Sequence, residues 1–474
     1  MFKKIKKYGN HWLLLMLGIV LGWGNAATPE KPNILVILTD DQGYAAVSQN
    51  PLHPVTISTP HIDSISKNGV TFSQAYIADN VCSPSRAAIL SGRYPQRAKI
   101  YTAGEGGRGM SLDNKIIPTF LKPAGYYSGA FGKWHLGTDV NKSPIKRGFD
   151  EFFGFLGRGA HDYFKLSDEN EPIYRGLEPV KISGYLTDVL TDEACSFITK
   201  NKNKPFFCYL AYNAVHTPIE APAEDVAKFA RAKAKDPKYQ DKTLGPISTY
   251  LAMVERLDAG IGRVLETLQK EGVEQNTLIF FLTDNGGAFD PEQFNVPLHG
   301  NKHENWEGGV RTPFYVSWPG HFKQGTSIDA PVISMDILAT MIDVTGQPLP
   351  TDKPLDGKSL LPLINGETKT LHDKLFWTGG SKTGWWSARV GDWKMLGFKK
   401  DVKLFDLSMD IHEDHDLASQ NPEKLAEIKK SFDAWISEMP EPMTKAESKI
   451  WSEESVTWKE AKNEKKSEKN PDNE

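Results

Sequence analysis

Asn33-Ile34-Leu35-Val36-Ile37-Leu38-Thr39-Asp40-Asp41, and far along the chain Leu278-Ile279-Phe280-Phe281-Leu282-Thr283-Asp284-Asn285-Gly286-Gly287, are the two stretches that decide the fold. Each is a short unbroken apolar run stopped by polar residues, the pattern of a strand buried on both faces. Two further runs behave alike. Residues 126–131 lead into Gly132-Lys133-Trp134-His135-Leu136-Gly137, and 206–210 lead through Tyr212-Asn213-Ala214-Val215 to His216-Thr217-Pro218. Helix-like segments separate them. Thr59 can cap a short helix with Pro60 at its first position and Ile62 and Ile65 on the buried side. A longer helix carries Leu251, Val254, Leu257, Ile261, Val264 and Leu268 at helical spacing and closes at Gly272, and 334–344 reads as another. Strands alternating with helices predict an α/β domain, with a large mixed sheet sandwiched by helices.

After about residue 345 the pattern changes. Prolines cluster, and then 375–377, 388–390, 393–396 and 402–405 read as short strands of a small antiparallel sheet, with 424–439 a closing helix. This predicts a smaller C-terminal α+β subdomain over 346–440. From 447 to 474 the chain is mostly Lys, Glu, Asn and Ser, the composition of a disordered tail.

The N-terminus is a leader by composition. Lys3, Lys4, Lys6 and Lys7 precede an apolar run from Trp12 to Trp23 and then Gly24-Asn25-Ala26-Ala27, which describes a cleavable signal peptide over 1–27. The apolar run is short of the roughly 18–20 residues that span a bilayer. An exported protein, periplasmic or secreted, with no membrane span in its mature form is expected. The formal net charge of −4, near −8 once the four leader lysines are gone, gives no basic face and excludes nucleic acid as a partner class. Only Cys82, Cys195 and Cys208 are present, too few for a disulfide framework. Cys195 and Cys208 could pair, but Cys208 lies inside an apolar run, which favours two free thiols.

Ligands of open α/β sheets bind outside the carboxyl ends of the strands. Here those ends supply Asp40, Asp41, Asp284, Asn285, Lys133, His135 and His216. Oxygen ligands without a cysteine or histidine pair suit Ca²⁺ or Mg²⁺ better than Zn²⁺. One such strand end would be read as a helix cap. Two near-matching ends, Leu-Thr-Asp-Asp and Leu-Thr-Asp-Asn, favour a metal site. Next comes Val81-Cys82-Ser83-Pro84-Ser85-Arg86-Ala87-Ala88-Ile89-Leu90-Ser91-Gly92-Arg93. Pro84 suits the first turn of a helix ending near Gly92, which sets Cys82 at the helix N-terminus, where partial positive charge favours an anion. Arg86, one turn in, could face the same anion.

The string Cys-x-Pro-Ser-Arg followed by Ala-Ala-Ile-Leu-Ser-Gly resembles the signature of the type I, formylglycine-dependent sulfatases, relatives of alkaline phosphatase. Gly-Lys-Trp-His-Leu-Gly (132–137), Thr-Asp-Asp near the start, Thr-Asp-Asn-Gly-Gly late, Lys302 before Trp306-Glu307-Gly308-Gly309, and Leu404-Phe405-Asp406-Leu407 to Asp416-Leu417-Ala418 match the family in order. The resemblance covers roughly residues 31–420 and implies an alkaline-phosphatase-like fold with its catalytic domain over 31–345. It further implies that Cys82 is oxidised to formylglycine by a maturation enzyme, and that Asp40, Asp41, Asp284, Asn285 and residue 82 hold Ca²⁺. By the same resemblance the hydrated aldehyde at 82 attacks sulfur. His216 and Lys302 would bind the ester and protonate the departing alcohol, and His135 would take the proton whose loss expels sulfate. Arg86 and Lys133 would hold residue 82 and balance charge.

His299 and His303 flank Lys302, where the family varies, and either could bind substrate, or neither. Gly159-Ala160-His161-Asp162-Tyr163 could line the pocket or serve the fold, and Trp385-Trp386 could stack on a sugar or pack the small sheet. The expected substrate is a sulfated carbohydrate, an algal polysaccharide such as ulvan or carrageenan, or a glycosaminoglycan. The rival readings are a phosphodiesterase or phosphonate hydrolase of the same superfamily, and a non-catalytic binder of sulfated glycans.

Overall fold

The computed structural model describes residues 31–53, 57–105, 107–157, 159–168, 171–233, 244–290, 294–379, 383–444 and 446–448. The expected leader over 1–27 and the expected tail beyond residue 448 lie outside the described residues. No helix among the described residues is long and apolar enough to cross a membrane.

A ten-stranded mixed sheet forms the centre. In spatial order its strands are Thr326–Ile328, Val70–Phe72, Phe314–Ser317, Thr277–Thr283, Asn33–Thr39, Phe206–Ala211, Tyr127–Lys133, Glu151–Phe155, Ile173–Arg175 and Glu178–Val180. The five strands from Thr277–Thr283 to Glu151–Phe155 run parallel. Antiparallel pairing begins at Phe314–Ser317 on one side and Ile173–Arg175 on the other. All seven residues of Asn33–Thr39 and of Thr277–Thr283 are buried, as their unbroken apolar runs require.

Strand alternation divides the core in two. Ile34, Val36, Leu38, Leu278, Phe280 and Leu282 face one layer with Ala87, Ile89 and Leu90 of the Cys82–Ser91 helix and Ile337, Leu338 and Met341 of the Asp336–Val344 helix. Leu35, Ile37, Ile279 and Phe281 face the other, against Ile62 and Ile65, Leu190 and Phe197, and the stripe from Leu251 to Leu268 of the Leu244–Lys270 helix. Gly272 closes that long helix at a φ of 72°. Thr59 does stand at the N-cap of Pro60–Lys67, but its hydroxyl is not the cap. It donates to the Asp63 carboxylate at 3.1 Å, while the first amides, of His61 and Ile62, are taken by Asp258 of the long helix at 3.1 and 2.8 Å. A distant carboxylate satisfies these amides, which no local pattern announces.

The C-terminal sheet has four antiparallel strands, Lys374–Thr378, Trp385–Val390, Trp393–Phe398 and Asp401–Asp406, with the helix Pro422–Ser437 packed against it. Trp386 packs on Phe432 and Trp385 on Phe398, so this pair fills the small sheet. Cys82, Cys195 and Cys208 are all free thiols.

A buried ionic cluster ties this sheet to the short helix Glu307–Val310 and to Tyr76 of the short strand Ala75–Tyr76. Lys394, wholly inaccessible, reaches Glu307 at 2.8 Å and Glu413 at 2.9 Å, and Tyr76 and Arg311 also bond Glu307. Burial alone would raise Glu307, but Lys394, then Arg311 and Arg389, hold it down at about 2. Glu413, with less compensation, is pushed up by burial to about 7. Replacing Lys394 with Met should therefore cost about 3 kcal/mol in urea unfolding, the penalty of stranding buried carboxylates. Pairing it with Glu413→Gln should recover part of that loss, and a cost below about 1 kcal/mol would mean the cluster is not holding the C-terminal sheet in place.

Candidate active site

Parallel strands aim their carboxyl ends at one edge of the sheet, and backbone bonds lock those ends together. Asp40 N–H donates to Ala214 O at 2.9 Å, Val215 N–H to Asp40 O at 2.7 Å, and Asp284 N–H to Thr39 O at 3.1 Å. Asp40, Asp284, Asn285 and Arg86 are wholly inaccessible there, and Asp41, Cys82, Lys133, His135 and Lys302 are buried.

Cys82 is the first residue of its helix, after Val81 in extended conformation, and Gly92 ends the helix at a φ of 66°. Ser83 Oγ donates to His135 O at 3.0 Å, tying this N-terminus to the Gly-Lys-Trp-His segment. From the next turn Arg86 donates Nε to Asp284 Oδ2 at 2.9 Å and Nη1 to Lys133 O at 3.0 Å, while its Nη2 stands 2.8 Å from the same Asp284 oxygen as an ion pair. Lys133, the last residue of its strand, bonds Asp40 Oδ2 at 2.5 Å. Lys302 Nζ lies 2.7 Å from Asp41 Oδ1 and 3.0 Å from Oδ2. His216 Nε2 is 3.6 Å from Asp41 Oδ2, with its Nδ1 held at 2.7 Å by Thr217 O.

Three carboxylates, three cations and two imidazoles thus meet around one cysteine. Burial raises Asp40 and Asp41, yet their neighbours, Lys133 for the first and Lys302 for the second, then His216 for both, hold them below the ordinary range. Asp284 stays above it, through burial and then Asp40. Burial also pushes the Cys82 thiol up, against the pull of Lys133 and Lys302. Charge at the helix N-terminus does not prevail over desolvation here. His135 is held well below its usual value by burial and then by Lys133, Arg86 and Lys302, so it is a neutral imidazole. Its Nδ1 is buried with no hydrogen-bond partner.

The donor set fits a hard divalent cation. Asp40 Oδ1 and Asn285 Oδ1 are buried oxygens without partners, and Asp284 lacks enough positive charge to reach the ordinary carboxylate range. One ligand atom each from Asp40, Asp41 and His216 also lies within 4.8 Å of the others. Asn285 Nδ2 donates to Asp41 Oδ1 at 2.6 Å and fixes that carboxylate.

Every residue singled out in the sequence for this site is brought to it. The unassigned ones divide. His161 is tied into the fold, its two nitrogens 2.7 and 2.8 Å from the carbonyls of Asp162 and Glu171. Gly159, at a φ of 90°, lies so close that a Cβ there would stand 2.9 Å from His135 Cε1. It walls the imidazole, a part no sequence pattern assigned to it. Asp41 and His135 both adopt left-handed backbone, at φ 59° and 55°, a conformation L-residues rarely keep without a local reason.

Comparison with known proteins agrees with this geometry. The family model described as Sulfatase matches residues 32–347, and that described as N-sulphoglucosamine sulphohydrolase, C-terminal, matches 301–441. The chain is 32% identical to the N-acetylgalactosamine-6-sulfatase of Canis lupus familiaris over 78% of its own length and 72% of the relative's. To that of Homo sapiens it is 34% identical over 72% and 67%. Among solved structures, Ps i-CgsB in complex with k-i-k-neocarrahexaose superposes with a TM-score of 0.80 at 34% identity, covering 89% of this chain and 97% of that one. The chain belongs to the sulfatase family and is an enzyme that hydrolyses sulfate esters.

Proposed function

We propose that this sulfatase acts on a sulfated carbohydrate of the carrageenan or glycosaminoglycan class, through a formylglycine derived from Cys82 and a Ca²⁺ held by Asp40, Asp41, Asp284, Asn285 and residue 82. The observation that carries the reading is the gathering of Cys82 with Arg86, Lys133 and Lys302 at the ends of the Asp-bearing strands. An anionic ester repels nucleophiles, and fixed cations remove that repulsion. The sugar class is supported by relatives named for N-acetylgalactosamine 6-sulfate cleavage and by a structure holding a carrageenan oligosaccharide. Export follows from the leader composition, and we take 31–345 as the catalytic domain and 346–440 as its subdomain.

When present, the formylglycine hydrate supplies a hydroxyl nucleophile and the calcium favours its ionised form. Arg86 and Lys133 hold the centre through Asp284, Asp40 and the Lys133 carbonyl. His216 and Lys302 share Asp41, and in this reading they serve the departing alcohol, Lys302 binding the bridging oxygen and His216 giving the proton. His135 is neutral with an unpartnered nitrogen, and it accepts the proton whose removal releases sulfate.

This division of labour is testable. His216→Ala should lose about 100-fold or more on a sugar sulfate and clearly less on an aryl sulfate, whose phenolate leaves with little protonation. His135→Ala should lose activity on both alike and show a burst of about one equivalent of phenol per site before a slow steady state. Equal losses in all four measurements, without a burst, would refute the assignment.

A further inference from the structure

His303 follows Lys302 and has no part in the centre described above. Its backbone is left-handed, at a φ of 77°, a conformation glycine adopts freely and most residues bearing a Cβ adopt rarely. Its amide is fixed by Asn80 O at 3.1 Å, so the turn is held rather than loose. The imidazole is exposed and makes no hydrogen bond and no ring contact among the described residues. Its surroundings nevertheless belong to the site. Desolvation, then the Lys302 charge, lower its pKa, with Asp41 opposing them and His216 adding to them. A structural role would be visible as a partner or as packing, and His303 has neither. Its strained position beside the groups assigned to the departing alcohol is what needs a reason.

We propose that His303 is a substrate-binding residue that recognises the carbohydrate leaving group, by hydrogen-bonding a sugar hydroxyl next to the sulfated carbon. An imidazole N–H can donate to a hydroxyl, and an unprotonated ring nitrogen can accept from one. An aryl sulfate carries no such neighbouring hydroxyl. His303 therefore reads which alcohol leaves, while Lys302, one residue back, acts on the ester itself. This inference rests on the carbohydrate sulfatase reading.

The experiment compares wild type, His303→Gly and His303→Asn on an aryl sulfate, on neocarrageenan oligosaccharides and on N-acetylgalactosamine 6-sulfate. Glycine removes the ring and relieves the backbone, while asparagine tolerates the left-handed region and keeps a donor and an acceptor. His303→Gly should lose about tenfold in kcat/KM on whichever sugar sulfate the wild type cleaves, mostly through KM, the scale of one lost hydrogen bond to substrate. On the aryl sulfate the loss should be several-fold smaller. His303→Asn should recover part of the sugar activity, and neither variant should melt below wild type. Equal losses on aryl and sugar substrates, or a glycine variant within about twofold of wild type on the sugar, would overturn the inference. A wild type inactive on every sugar sulfate but active on the aryl ester would defeat the carbohydrate reading and this inference with it, an outcome read from the wild type alone.

Discussion

Cys82→Ala is expected to abolish sulfate release, by roughly 10⁴-fold or more, and to leave the fold intact. The side chain is buried at the first position of its helix and makes no disulfide, so its loss removes little packing. What it removes is the side chain on which Arg86, Lys133 and Lys302 act. A thiol here would also be a poor nucleophile. Burial holds it protonated, and Asp284 and Asp40 add to that against Lys133 and Lys302. A hydrated aldehyde at the same position needs no thiolate and has a second hydroxyl through which sulfate can be released. Peptide mass spectrometry of active material should show the aldehyde at residue 82, and preparations should be active in proportion to it. Full activity in protein whose Cys82 is entirely thiol would overturn the mechanism.

Much of this centre is written locally. The runs ending at Asp40 and Asp284 state both a buried strand and its polar terminus, and Cys82, Arg86 and Gly92 state a helix and its two ends. The four C-terminal strands and their helix are equally readable, each a short periodic segment between turn residues. What stays hidden depends on partners far away in sequence. Asp258 caps a helix through His61 and Ile62, and Gly159 walls His135 through its lack of a Cβ. The Lys394 cluster joins Glu307, Glu413 and Tyr76 from three segments, each an ordinary polar residue in its own stretch. The left-handed backbone of Asp41 and His135 is hidden for the same reason, since the tertiary packing that holds it is absent from the local pattern. Residue type identified the acids, bases and cations, and the fold alone decides which carboxylate each cation meets.

That pairing sets the second large effect, at Asp284. Removing one carboxylate from a crowded set could relieve repulsion, and Asp40 does push Asp284 upward. Arg86 reverses the balance. It gives one hydrogen bond and a second close ion-pair contact to Asp284 Oδ2 and otherwise faces Asp40 only at 3.4 Å, while Asp40 is already engaged by Lys133 at 2.5 Å. Asp284→Ala leaves a wholly buried guanidinium short of its main counter-charge, and a destabilisation of about 3–5 kcal/mol is expected. Asp284→Asn keeps an oxygen for Arg86 and should fold far better, yet it lowers the charge available to a divalent cation. The two variants thus separate the ion pair from the metal. Wild type should lose activity and melt lower on chelation, and Ca²⁺ should restore both where Zn²⁺ restores little. At a free concentration about 100 times its dissociation constant, the ion would add about 2.7 kcal/mol to stability. Asp284→Asn should show little of that calcium-dependent rise and should be nearly inactive. A wild type whose melting and activity ignore chelation, with metal analysis finding no bound calcium, would show that Asp40, Asp41, Asp284 and Asn285 are held by Arg86, Lys133 and Lys302 alone.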